Sequence, residues 1–144
     1  MQRSNKSFNR KCICKKIDLI NKISEDINVT ADKYMIDTVL RNLISNSIKF
    51  TEPGGHIILS AIRLGNMAEV SVQDNGIGIS EENQEKIFRI DAQFRIDGTE
   101  NEKGTGLGLI LCKEFVEKNH GTIRIESKEN EGCKFIFTVP LYSN

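Results

Sequence analysis

Asn42, Asn46 and Lys49 recur at intervals of four and three residues. On a helix turning about 100° per residue, their side chains fall within about 60° of one another. They share a stripe beside the apolar positions Ile36, Val39, Leu40, Leu43, Ser47 and Phe50. An amide oxygen can ligate a hard cation without adding negative charge, which suits a magnesium ion already carrying a polyphosphate. A lysine one turn on can meet a terminal phosphate as a point charge. A solvated helix face would carry the same residues, so the stripe gains meaning only from its company.

That company is two further clusters. Asp74-Asn75-Gly76-Ile77-Gly78-Ile79 follows an expected strand. A carboxylate there can accept a hydrogen bond from an exocyclic amine. The glycines admit a flat ligand close to the backbone, and Ile79 supplies an apolar wall. An ordinary glycine turn is the plainer reading. Gly104-Thr105-Gly106-Leu107-Gly108-Leu109 opens a second helix. Unpaired amides at a helix N-terminus form an anion site, and glycines expose them. The run is neither a Walker lysine loop nor a dinucleotide fingerprint, which lacks its third glycine here. A base reader, a metal and phosphate helix, and a phosphate-binding helix start together describe a nucleotide site.

Two helices must position these groups. The first spans Asp32 to Phe50 by its apolar period and ends at Glu52-Pro53-Gly54-Gly55; the second runs from Leu107 to Asn119 and stops at Gly121. Strands are expected near 15–23, at Ile57–Ile62 and Ala68–Gln73 around a Gly65-Asn66 turn, and at Thr122–Ser127 and Lys134–Val139 around Asn130 and Gly132. Ser80 caps a short third helix with Glu81 and Glu82 in its first turn and Phe88 near its end. Residues 90–105 are polar and aperiodic, a length that points to a functional loop. The expected fold class is α+β: a two-layer α/β sandwich, with a mixed sheet of about five strands and three helices on one face.

The 144 residues favour one domain. Hydrophobic content of 38% and charged content of 28% fit a globular protein, and 20 acids against 20 bases remove any bulk electrostatic case for nucleic acid. The basic run Arg3, Lys6, Arg10, Lys11, Lys15, Lys16 reads as a solvated tail. No membrane span or signal peptide is visible, so the chain as given is expected to be soluble. Cys12 and Cys14 form neither a redox pair nor half a zinc site. The two histidines, His56 and His120, sit at expected element ends and read as structural.

N-L-I-S-N-S-I-K-F (42–50), D-N-G-I-G-I (74–79), K-I-F (86–88) and G-T-G-L-G-L (104–109) resemble, in order and spacing, four boxes of the sensor histidine kinase catalytic domain. H-G-T-I-R-I-E-S (120–127) and F-I-F-T-V-P (135–140) are similar to its last hairpin. The resemblance covers about residues 15–141 and implies the Bergerat ATP-binding fold. It divides the chain into a tail or upstream remnant over 1–14 and a catalytic domain over 15–144. It implies that Asn46 holds magnesium, that Asn42 and Lys49 serve phosphate and transfer geometry, and that Asp74 reads adenine. Gly76, Gly78 and Ile79 would line the base, with Phe50 near it or in the core. Gly104, Thr105, Gly106, Leu107, Gly108 and Leu109 would line the phosphates, and residues 90–105 would form a lid.

The cofactors so implied are ATP and Mg2+. The partners are a dimerisation and phospho-acceptor domain on a separate segment, which supplies the general base, and a response regulator. No nucleic acid is expected, the domain alone should be monomeric, and it should be cytoplasmic. Two positions depart from the family. Ser47 replaces the usual alanine, an exchange expected to be harmless. Cys133 stands where a hydroxyl residue is frequent, and a thiol is a weak donor, so water would support Asp74 instead. A stand-alone serine kinase of the same fold, such as an anti-sigma factor, and a degenerate nucleotide sensor are the alternatives.

Overall fold

The computed structural model describes residues 14–24, 26–89 and 108–143. Residues 1–13 and 90–107 fall outside it; the expected tail lies there almost entirely, together with the expected lid and the first four residues of the glycine run.

The first long helix, α1 (Lys33–Phe50), starts where expected. Asp32 caps it, its side chain accepting from the Met35 N–H at 3.0 Å. Val39, Leu40, Leu43, Ile44, Ser47 and Ile48 form its buried face. Five strands make one sheet in the order β1-β2-β3-β5-β4: β1 (Asp18–Asn21), β2 (His56–Leu64), β3 (Met67–Asp74), β4 (Ile123–Lys128) and β5 (Gly132–Pro140). β1 pairs with β2 in parallel and all other pairs are antiparallel, so the sheet is mixed.

Opposite residues of a ladder share a face. Ile57, Leu59, Val72, Ala68, Phe135, Phe137 and Val139 therefore line one side, and all are buried. This side meets α1 and α3 (Gly108–Lys118), whose Cys112 and Val116 join the same core. Asn119 binds the two helices together. Its Oδ1 accepts from the Asp32 N–H at 2.7 Å, while its Nδ2 donates to the Phe115 carbonyl at 2.8 Å. No helix among the described residues is long and apolar enough to cross a membrane.

Three boundaries differ from expectation. The first strand is short because residues 14 and 15 are helical and Lys16 takes a φ of 59°, which interrupts extended backbone. α2 spans only Glu81–Gln84 after the Ser80 cap, and Phe88 lies in the turns beyond it. There its ring meets Phe135 edge-on at 6.5 Å, so packing on the sheet, not helix propagation, fixes that segment. At the end of α3 the left-handed residue is His120 (φ 65°) and not Gly121, whose N–H instead donates to the Val116 carbonyl at 3.0 Å.

Candidate functional site

Asp74 is the last residue of β3 and 4% exposed. Ladder register puts it in a row with Ile57, Cys133 and Ser127 across the sheet, on the helix-covered face. The chain turns there at once, because the Gly76 N–H donates back to Asp74 Oδ1 at 2.9 Å. A second N–H, from Cys133, reaches the same oxygen at 3.2 Å. Burial pushes the Asp74 carboxyl above its ordinary value. The Gly76 N–H, the nearby Ser47 hydroxyl, the Cys133 N–H and the charge of His56 oppose the shift. The carboxylate's aligned hydrogen bonds thus come from two backbone N–H groups, with the Ser47 hydroxyl close by. The Cys133 thiol stays protonated, held so first by burial and then by the Asp74 charge.

The loop after Asp74 is wedged between α1 and the last hairpin. A side chain at Gly76 would put its Cβ 2.1 Å from the Phe50 carbonyl oxygen. Gly78, at φ 70°, would meet the Lys128 carbonyl at 2.0 Å. Both positions therefore require glycine for close approach. Ile79 is buried in the core cluster. Its N–H donates to Ser127 Oγ at 2.8 Å, and Ser127 Oγ donates to the Gly132 carbonyl at 2.7 Å. Gln84 Nε2 adds bonds to the Ile79 and Ser127 carbonyls at 2.7 and 2.8 Å. Sequence reading missed Ser127, Gln84 and Asn75, whose Oδ1 accepts from the His56 N–H at 2.8 Å. They act on backbone, and no residue-type signal marks such work.

On α1, Asn42, Asn46, Lys49 and Phe50 are all partly exposed, in contrast to the buried stripe beside them. The Lys49 ammonium lies 4.9 Å from the Phe50 ring centre, a cation–π contact. α3 begins against Asn42: a Cβ on Gly108 would lie 3.6 Å from Asn42 Oδ1. The amide stripe and the end of the glycine run therefore meet, although 66 residues separate them in sequence (108 − 42). Leu109 packs against the core. Gly104, Thr105, Gly106 and Leu107 lie outside the described residues. Ser47, level with this corner, is 1% exposed, and its hydroxyl has no aligned hydrogen-bond partner. It lies near enough to Asp74 to favour the charged carboxylate without a well-formed bond.

The sequence profile of the histidine kinase-, DNA gyrase B- and HSP90-like ATPases matches residues 31–143. The chain belongs to this family. The ATPase-family domain is 41% identical over 130 residues to the adaptive-response sensory kinase SasA of Crocosphaera subtropica, covering 89% of this chain and 34% of SasA. It is 37% identical over 131 residues to the sensor protein RprX of Bacteroides fragilis, covering 85% of this chain and 25% of RprX. The chain spans about a third of the length of the SasA relatives it matches. Among solved structures, the nucleotide-free catalytic domain of histidine kinase ThkA superposes with a TM-score of 0.81 at 35% identity, covering 96% of this chain and 88% of that domain. ThkA in complex with the response regulator TrrA matches at a TM-score of 0.77 and 32% identity, covering 98% of this chain and 39% of ThkA. The domain is an ATP-binding catalytic domain of the sensor histidine kinase type.

Proposed function

We propose that this domain delivers the γ-phosphoryl group of Mg·ATP to a histidine on a separate dimerisation and phospho-acceptor domain, and that a response regulator receives it next. The observation that carries the reading is the buried Asp74 carboxylate at the head of the glycine loop. The Gly76 and Cys133 N–H groups both bond Oδ1, which leaves Oδ2 lone pairs for the exocyclic amine of adenine. Gly76 and Gly78 let the loop pass tightly between α1 and the last hairpin beside the base, Ile79 walls it, and Phe50 flanks it.

The phosphates belong at the meeting of the amide stripe with α3. Gly108 and Leu109 offer helix-start amides to them, and the sequence resemblance adds Gly104, Thr105, Gly106 and Leu107 to the phosphate-lining residues. Asn42 and Lys49 orient the transferred group. Asn46 would hold the magnesium ion, which would neutralise phosphate charge. The donor set fits such an ion: Asn46 is a half-buried neutral amide on the stripe beside Asn42 and Lys49. A neutral amide needs a cation that brings its own anionic ligands. With the nucleotide held, catalysis is mainly positioning and charge stabilisation. His56 and His120 are exposed at element ends, and neither serves as acceptor. In this reading the domain is residues 15–144, works in the cytoplasm, is monomeric in isolation and has no nucleic-acid partner.

Radiolabelled ATP tests the proposal. The domain alone should incorporate almost no acid-labile phosphate. A cognate helical domain added in trans should become labelled on histidine, slowly, because encounter replaces a tether. Robust labelling of the isolated domain would point to a stand-alone kinase. No labelling of the acceptor despite bound ATP would leave a nucleotide sensor.

A further inference from the structure

The C-terminal end of α1 is closed by three different parts of the chain. A helix leaves its last four carbonyls without partners inside it, here those of Ser47, Ile48, Lys49 and Phe50. Thr51 Oγ1 donates to the Ser47 carbonyl at 2.5 Å. The Ile77 N–H of the glycine loop donates to the Phe50 carbonyl at 3.0 Å. The two carbonyls between them accept from Lys15, whose Nζ lies 2.9 Å from the Ile48 oxygen and 3.1 Å from that of Lys49; the Ile48 carbonyl also takes a long bond, 3.4 Å, from the Thr51 N–H.

Lys15 is 7% exposed; with Asp74 it makes up the buried lysine, arginine, aspartate and glutamate side chains among the described residues. Burying an ammonium is unfavourable unless the site compensates it, and the negative end of a helix dipole does so. Lys15 also sits where the chain enters the domain, in the helical turn that ends at residue 15. The next residues are fastened to the segment that closes α1. The Gly54 N–H donates to the Lys16 carbonyl at 2.8 Å, the Asp18 N–H donates to the Gly55 carbonyl at 3.1 Å, and β1 then pairs with β2 from Asp18 and His56 onward.

We propose that Lys15 is a positioning residue: by capping the Ile48 and Lys49 carbonyls it ties the entering chain to the corner where α1, Lys49 and the glycine loop meet. The inference rests on the nucleotide-site reading above. Displacement of the segment before β1 then moves the end of α1, and with it Lys49 and, through the Phe50–Ile77 bond, the loop that carries Asp74. A lysine that reads in sequence as part of a solvated basic run is thus the joint between the site and whatever precedes it.

Lys15→Met keeps the buried stem and removes the ammonium. Calorimetric titration with a non-hydrolysable Mg·ATP analogue should show affinity lowered roughly tenfold. Lys15→Arg, which retains the cation, should restore most of it. In a Lys49→Met background the effect of Lys15→Met should largely vanish, because positioning through Lys49 predicts non-additivity. Should Lys15→Met not fold, Lys15→Gln, with a shorter neutral donor, carries the same cycle. A lowered melting midpoint with unchanged affinity, or losses that add in the double variant, would overturn the proposal. Asp74→Asn in the same titrations separates the two failures. Unchanged affinity there removes the nucleotide site and this inference with it; a loss there, with Lys15→Met silent, removes only the role of Lys15.

Discussion

Asp74 concentrates the electrostatics of the site. Burial raises its carboxyl above the ordinary value against the pull of the Gly76 and Cys133 N–H groups. The folded chain therefore keeps that proton at pH values where the unfolded chain has lost it, and this contribution makes stability rise as pH falls through the window just above the ordinary carboxylate range. Nucleotide binding runs the other way, because the charged form is the better acceptor for the amine. The affinity ratio of wild type to Asp74→Asn, taken at each pH so that the phosphates' own titration cancels, should shrink as pH drops into that window. A ratio flat with pH would contradict a titrating carboxylate at the base. Ser47 gives a second residue-level test. Its hydroxyl is buried without an aligned partner, so Ser47→Ala should leave stability unchanged or raise it by about 1 kcal/mol in denaturant melts. A loss of that size would mean the hydroxyl has a partner after all. Asp74 was legible in sequence only through its company, since a carboxylate before spaced glycines also makes an ordinary turn; Lys15 was not, because burial of one lysine in a basic run leaves no local trace.

Elements were legible where a period carried them. The apolar stripe of α1 and its Asp32 cap follow from spacing and residue type, and the long hairpin strands follow from alternation and turn residues. Elements set by distant contacts are shorter than their sequence pattern suggests: β1 begins only after the Lys16 turn, and α2 ends before Phe88, which packs on Phe135. Asn119 shows the same limit, since an asparagine at a helix end gives no sign that it bonds Asp32, 87 residues away. Asn119→Ala would orphan the Asp32 N–H and lose the bond to the Phe115 carbonyl. Thermal or denaturant unfolding should show a loss of about 2–3 kcal/mol. A change within about 0.5 kcal/mol, typical of an uninvolved surface position, would mean that the α1–α3 joint is held elsewhere.

At the scale of the whole molecule, three sequence clusters that are individually weak converge because the sheet and two helices bring them together. Asp74 ends a central strand on the covered face, Gly76 abuts the end of α1, and Gly108 begins α3 against Asn42. Whether that convergence holds a nucleotide is read out by calorimetry with a non-hydrolysable Mg·ATP analogue on wild type and Asp74→Asn. The amide of the variant would present a donor where the adenine amine also donates, so affinity should fall by about 1–3 kcal/mol of binding free energy while the variant still melts cooperatively. Equal affinities for the two proteins would take Asp74 out of the nucleotide site.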